Sequence, residues 1–312
     1  METSSVCVLG GSGFVGRQIC ERLAARGIHV RVPTRDRERA KSLLTLPTVD
    51  VIAADIHNPL TLRALFAGCD AVINLVGVLH DGRGKRSFRG AHVELARAVV
   101  DACRGAGVPR LLHMSAVGAD GNGPSAYLRS KGEAEQVVRA SGLDFTIFRP
   151  SVIFGPDDAF LNLFARLLAV TPVFPLAGAS TRFQPVYVND VADAFVTALS
   201  HPDASGASFD LCGPRVYTLR DIVAFAACVT GRSRLIIGLP APLAYCQALA
   251  LELLPRPLMS RDNLRSMQVD SLCHCAFPFG IRPAAMEAVA PAWLAEQTPR
   301  ARYDVFRSRA GR

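Results

Sequence analysis

Val6-Cys7-Val8-Leu9-Gly10-Gly11-Ser12-Gly13-Phe14-Val15-Gly16 is the stretch whose reading decides the fold. Its apolar opening suits a buried strand. Gly10, Gly13 and Gly16 follow at spacings of three, and Arg17 to Arg26 has the composition and period of a helix. The chain is therefore expected to run as a strand, turn sharply and start a helix. A turn without Cβ atoms lets backbone N–H groups come close to a pyrophosphate, and the exposed amides of a helix N-terminus favour an anion. The ligand expected on Gly10, Gly11, Ser12, Gly13, Phe14, Val15 and Gly16 is a dinucleotide.

The rest of the chain can support such a fold. Its 312 residues are 50% hydrophobic and 20% charged, enough for a large core in one extended domain or two close-packed ones. The net charge is +8, but the arginines are scattered rather than gathered in a block, so no nucleic-acid partner is expected. Nine cysteines, most of them inside apolar runs, are expected to be reduced thiols of an intracellular protein. No basic-then-apolar leader precedes the first strand, which makes the expected location cytoplasmic.

Downstream of the glycines, Ile28 to Pro33 reads as a second strand, leading to Thr34-Arg35-Asp36-Arg37. An acidic residue in this place would bind the ribose hydroxyls of NAD, whereas an arginine suits the 2′-phosphate of NADP. Arg35 points to NADP(H), and Asp36 is expected to cap the helix beginning near Arg37. A third strand, Val49 to Ala54, delivers Asp55 and Ile56. The Asp55 carboxylate has two readings, an acceptor for the adenine amino group or an Asx turn before Asn58-Pro59. Ala71 to Val76 is a fourth strand, whose end at Asn74, Val76 and Gly77 should line the cofactor cleft. His80 to Arg89 is a surface connection or a flap.

A helix from Ala91 to Ala106 leads to the strand Arg110 to Met114 and to Ser115 at its end. Ser125 to Glu133 then begins a helix reaching Ala140, in which Tyr127 and Lys131 stand four residues apart on one face. The chain has only three lysines, so a tyrosine four residues before one arises by chance in roughly one such sequence in twenty. Arginine is used almost everywhere else, and unlike arginine a lysine has a tunable charge. The sixth strand, Leu143 to Phe148, ends in Arg149-Pro150 and brings Pro150 and Ile153 to the same sheet edge. These elements predict an α/β fold, a doubly wound parallel Rossmann sheet with a smaller, irregular C-terminal substrate region. The NADP-binding domain is expected over 1–150 plus 185–206, and the substrate-binding region over 151–184 plus 207–312.

Two late stretches have alternative readings. Ala241 to Leu254 is an uncharged apolar helix up to Glu252, too short to span a bilayer. It is expected either to be buried and line an apolar pocket, or to rest on a membrane surface. Cys273-His274-Cys275 supplies too few ligands for a metal, and no metal is expected.

With these residues in place, the sequence resembles an extended or atypical short-chain dehydrogenase/reductase. The resemblance rests on Gly10-x-x-Gly13-x-x-Gly16, Ser115, Tyr127-x-x-x-Lys131, Arg149-Pro150 with Gly155-Pro156, and Val186-Tyr187-Val188-Asn189-Asp190-Val191-Ala192. It is similar in particular to the branch containing the nucleotide-binding accessory subunit of respiratory complex I and its bacterial relatives, some linked to ubiquinone metabolism. Arg35, Ser125 to Glu135 and Pro257 to Leu264 carry that narrower likeness. Leu9 departs from the threonine of many extended members. Asn74-Leu75-Val76-Gly77 departs from their Asn-Ala-Ala-Gly, so sugar-nucleotide chemistry is not carried over.

The resemblance implies that Tyr127 is a general acid or base. It implies that Lys131 lowers the tyrosine pKa and holds the nicotinamide ribose, and that Ser115 binds the substrate oxygen. The function expected is an NADP(H)-dependent oxidoreductase of an apolar small molecule, quinone-related carbonyl compounds included. The alternative is a non-catalytic NADPH-binding accessory subunit or assembly factor of a membrane respiratory or quinone-biosynthesis complex, peripheral at the inner face of a membrane. A nucleotide-sugar epimerase or dehydratase is the weaker alternative, because Arg35 and the apolar C-terminal half count against it. The oligomeric state is left open.

Overall fold

The computed structural model describes residues 3–255 and 257–295, so 1–2, Arg256 and 296–312 of the expected regions lie outside the described residues. The helices are α1 (Phe14–Ala25), α2 (Pro59–Phe66), α3 (Leu95–Ala106), α4 (Ala126–Arg139), α5 (Leu161–Val170), α6 (Val188–Ala198), α7 (Leu219–Val229), α8 (Ala241–Glu252), α9 (Arg261–Ser266), α10 (Met286–Val289) and α11 (Pro291–Leu294). The main sheet contains β1 (Ser5–Leu9), β2 (His29–Thr34), β3 (Val49–Ala53), β4 (Ala71–Asn74), β5 (Arg110–Met114), β6 (Asp144–Pro150) and β11 (Ala207–Leu211). Short strands β7 (Ile153–Phe154), β8 (Val173–Leu176), β9 (Arg182–Phe183), β10 (Val186–Tyr187), β12 (Tyr217–Thr218) and β13 (Leu235–Gly238) make up the rest.

The chain divides into two units, the first made of 1–150, 188–211 and 274–282. Its seven strands are all parallel, in the order β11-β6-β5-β4-β1-β2-β3. The strand order reverses at β1, whose neighbours are β2 and β4, and the C-terminal ends beside such a reversal are where open α/β sheets hold ligands. Alternate residues of the strands serve opposite faces. Cys7, Leu9, Val72, Leu111 and Ile147 pack with α2, α3 and α4, whereas Phe148 on β6 turns to the other side and meets Phe195 of α6 at 4.3 Å. Arg22 of α1 bonds Asp193 of α6 at 2.5 Å on that face.

Three segments fall differently from expectation. Ala207–Leu211 is the seventh strand, paired along its whole length with Thr146–Pro150, and does not belong to the C-terminal region. Residues 274–282 also return to the first unit, where Phe279 packs on Phe209 at 5.0 Å and His201 at 4.8 Å. Residues 185–187, expected in the nucleotide-binding domain, belong to the second unit.

The second unit comprises, of the described residues, those in 151–187, 212–273 and 283–295. Three two-stranded ladders, β10 with β7, β12 with β9 and β13 with β8, surround a core that includes Phe154, Leu161, Phe174, Leu219, Ile222 and Met286. A capping box, Thr218 with Asp221, starts α7. Cys212 and Cys273 form a disulfide, which corrects the expectation that all nine cysteines are thiols. Backbone and side-chain hydrogen bonds bring the pair together: Gln184 N–H donates to the Ser271 carbonyl, Cys273 N–H to Gln184 Oε1, and Gln184 Nε2 to the carbonyl of Gly213.

The reading of α8 as a buried helix is overturned. Only Ala244 and Ala248 are buried, while Leu243, Tyr245, Leu249 and Leu253 are exposed. The helix presents its small residues to the unit and its large ones outward. Among the described residues, no helix is long and apolar enough to cross a membrane.

Candidate active site

Gly10 has φ +84°, in the region that favours glycine, and turns the chain at the end of β1. A methyl group on Gly16 would collide with the Gly10 carbonyl oxygen, so the turn and the first turn of α1 meet only through a glycine. Gly13 is the N-cap of α1, and among the described residues no side chain caps the helix there. Ser12 lies in the turn, and Phe14 and Val15 open α1. This cradle fits a pyrophosphate.

Arg35 is exposed just past β2. Asp36 is engaged as expected, its Oδ1 accepting the Glu38 N–H at 3.0 Å to cap the 3₁₀ turn Arg37–Leu43. At the end of β3, Asp55 Oδ1 accepts the His57 N–H at 3.0 Å in an Asx turn, and Oδ2 accepts Lys85 Nζ at 2.9 Å. The Lys85 hydrogen bond holds the Asp55 carboxyl below its usual range. Lys85 thereby fastens the 80–89 loop to the end of β3. Ile56 and Val76 are partly buried against the core beside the sheet.

Asn74 is buried, its Oδ1 accepting the Val76 N–H at 3.2 Å and its Nδ2 facing His113 Nδ1 at 3.3 Å. Ser115 follows β5, pinned through its N–H to the Phe148 carbonyl at 2.7 Å. Its Oγ is buried with no hydrogen-bond partner among the described residues. Buried hydroxyls are rarely left so, and this one is available to a ligand oxygen.

Ser125 caps α4 by accepting the Leu128 N–H at 3.1 Å, and this fixes where the helix starts. Lys131 is 3% exposed and donates to the Met114 carbonyl at 3.0 Å. Burial lowers its pKa to about 8, opposed by the Glu135 carboxylate one turn on. Glu135 is in turn held by Arg149, Nε to Oε1 at 2.7 Å and a second nitrogen to Oε2 at 2.5 Å. Burial pushes the Tyr127 phenol up to about 12, opposite to the lowering expected from Lys131. Desolvation dominates the phenol. Pro150 ends β6 and accepts the Val117 N–H at 3.0 Å, whereas Ile153 falls in the second unit.

The structure adds a residue that the sequence reading did not single out. His92 lies on the π-helical turn Arg89–Glu94, within the expected helix Ala91 to Ala106. Its Nε2 accepts the Val78 N–H at 3.0 Å, and its Nδ1 meets Ser130 Oγ at 2.8 Å. A lone histidine in an apolar run carries no periodic signal.

A strand–glycine-turn–helix cradle at the reversal point, joined to the buried polar groups at the ends of β4 and β5, is a nucleotide site in search of its family. A family described as NAD(P)H-binding matches residues 10–202. This chain belongs to that NAD(P)H-binding family. It is 32% identical over 276 residues to the mitochondrial NADH dehydrogenase [ubiquinone] 1 alpha subcomplex subunit 9 of Arabidopsis thaliana, an alignment covering 85% of this chain and 68% of that protein. It is 31% identical over 238 residues to a ceramide reductase of Caulobacter vibrioides, covering 76% of this chain and 74% of that one. The fold matches a dTDP-glucose 4,6-dehydratase of Streptomyces venezuelae solved with NAD, at TM-score 0.73 and 18% identity over 95% of this chain and 98% of that one. The family's nucleotide-binding character and the Rossmann architecture thus agree with the glycine turn, and the relatives include both an NADH dehydrogenase subunit and a reductase.

Proposed function

We propose that this protein is an NADP(H)-dependent reductase of apolar carbonyl compounds, with Tyr127, Lys131 and Ser115 as its catalytic residues. The observation that carries this reading is the buried Lys131 ammonium, anchored on the Met114 carbonyl one helical turn from Tyr127, beside a Ser115 hydroxyl that has no partner among the described residues. The cofactor, when bound, would supply the hydride. Ser115 would donate to the carbonyl oxygen of the substrate, and Tyr127 would give it a proton. At neutral pH the phenol is protonated and can serve as that acid, and a nearby ammonium must offset the rise that burial causes for the transfer to be efficient. Lys131 would hold the nicotinamide ribose and stabilise the tyrosinate left after proton transfer. The adenosine phosphate would meet Arg35, since Asp36 already serves as a helix cap. Likeness to a protein named ceramide reductase supports a lipid-like substrate.

The test is NADPH oxidation by the purified protein, offered long-chain ketones and quinones. Tyr127→Phe should lower kcat by about a hundredfold or more with the nucleotide still bound. A variant that keeps the full rate sinks the assignment.

A second reading, a nucleotide-binding subunit resting on a membrane, is favoured by the outward leucines of α8. Each large apolar side chain left in water forgoes about 1.5–3 kcal/mol of burial, and a helix with no charge between Ala241 and Leu251 is suited to a lipid surface. Likeness to a complex I subunit is consistent with it. Binding of purified protein to lipid vesicles tests this reading independently of turnover.

A further inference from the structure

His92 is 2% exposed, titratable and unused by the chemistry above, yet its hydrogen bonds run in one direction only. The Val78 N–H can only donate, so Nε2 accepts and carries no proton. Burial, then the nearby Lys131 charge, lowers the His92 pKa to about 2, and the ring is neutral. Its single proton therefore sits on Nδ1 and is donated to Ser130 Oγ, while the Ser130 hydroxyl donates onward to the Tyr127 carbonyl at 2.8 Å. The chain Val78 N–H to His92 to Ser130 to the Tyr127 carbonyl joins the loop after β4 to the first turn of α4.

Two further contacts aim this chain at the site. A Cβ placed on Gly77 would lie 3.4 Å from His92 Nε2 and 3.2 Å from Lys131 Nζ, so both nitrogens converge on one backbone position. The His92 ring also stacks on Phe88, with centroids 5.7 Å apart, and meets the Tyr127 ring edge-on at 5.6 Å. Phe88 closes the triangle by touching Tyr127 at 5.8 Å. A π-helical turn is costly to keep inside a helix and is often retained where it places a functional group. Here it carries His92.

We propose that His92 is a positioning residue, holding the Tyr127 ring and the Lys131 ammonium in register with the Gly77–Val78 backbone for the nicotinamide half of the cofactor. This rests on the reading above that Lys131 serves that half, and it adds His92 and Ser130 to the working parts of the site.

The experiment compares two probes, NADPH and adenosine 2′,5′-bisphosphate, which carries the adenosine half alone. Dissociation constants are measured by calorimetry on wild type, His92→Gln and Ser130→Ala, with melting temperatures alongside. Gln keeps an acceptor for Val78 but no donor for Ser130, and Ser130→Ala removes the link without touching His92. Each variant should weaken NADPH about tenfold while leaving the bisphosphate within about twofold. A merely structural role would weaken both probes alike, and that result overturns the proposal, as does unchanged NADPH affinity in a folded Ser130→Ala. Wild type that binds the bisphosphate but not NADPH would overturn it too. Wild type that binds neither would instead remove the NADP(H) reading, and this inference with it.

Discussion

Lys131 donates to the main-chain carbonyl of Met114 at 3.0 Å, so the one buried ammonium among the described residues is tied to the residue just before Ser115. Its position is set by β5 as much as by its own helix. The cost is a charge held away from water, expressed in a pKa near 8 instead of 10.5.

That cost has a pH signature. Below pH 8 the lysine is charged in both the folded and the unfolded chain, and the folded state bears the full penalty. Between pH 8 and 10.5 the unfolded chain still holds a proton that the folded chain has shed, so this group's contribution to stability rises with pH. Lys131→Met should remove the dependence. The stability of wild type relative to the variant, from denaturant unfolding, should rise by about 3 kcal/mol across that window. A constant difference would show that the ammonium is not desolvated.

The histidines contribute a slope of the same sign at lower pH. Burial lowers the His113 pKa to about 3 and that of His92 to about 2, each from 6.5. As pH falls below 6.5 the unfolded chain takes up protons that the folded chain refuses, and stability is lost down to about pH 3. Each histidine contributes a slope of about 1.4 kcal/mol per pH unit. His113→Leu should flatten the slope between pH 6 and 4 by one proton's worth in urea titrations. It should also lower stability near neutrality, because Asn74 Nδ2 loses its acceptor. An unchanged slope would contradict the buried neutral state.

The parts of the molecule that were legible in the sequence are those set by local spacing. The glycine turn, the strands that follow it, the cap at Asp36 and the shared face of Tyr127 and Lys131 all follow from neighbours within a few residues. What escaped depends on partners far along the chain. Phe209 to Cys212 reads as a short strand from its own residues, and only the pairing of Ala207–Leu211 with β6 makes that stretch part of the sheet. Cys212 finds Cys273 across 61 residues because the hydrogen bonds of Gln184 bring them together. The role of His92 requires Val78 and Ser130 around it. An uncharged helix such as α8 reads alike whether covered or bare, since composition does not say which face the rest of the fold will meet.

Arg35 and Asp36 make opposite claims on the adenosine ribose, and the structure occupies only the aspartate. Asp36 caps the turn after β2, while Arg35 stands exposed beside it. Arg35→Ala should weaken NADPH by about tenfold or more and leave NADH nearly unchanged, because an arginine pairing with a phosphate supplies a charge-assisted contact that the hydroxyl of NADH cannot receive. Calorimetry with both nucleotides measures it. Equal affinities in the unsubstituted protein would refute the NADP(H) preference.

The face of α8 offers the cleanest separation of surface from core. Leu243 is 56% exposed, Leu249 39% and Leu253 80%, while Ala244 and Ala248 face the unit. Replacing Leu243 and Leu249 with glutamate removes no core contact of those alanines, so the melting temperature should stay within about 2 °C of wild type. A charged residue on a lipid-facing surface costs far more than it does in water. Flotation with anionic vesicles should therefore recover the wild-type protein and leave the doubly substituted protein in the bottom fraction, with NADPH affinity unchanged. If both proteins float alike, α8 is not the lipid contact. If the variant melts well below wild type, the leucines support the fold in a way their exposure does not suggest.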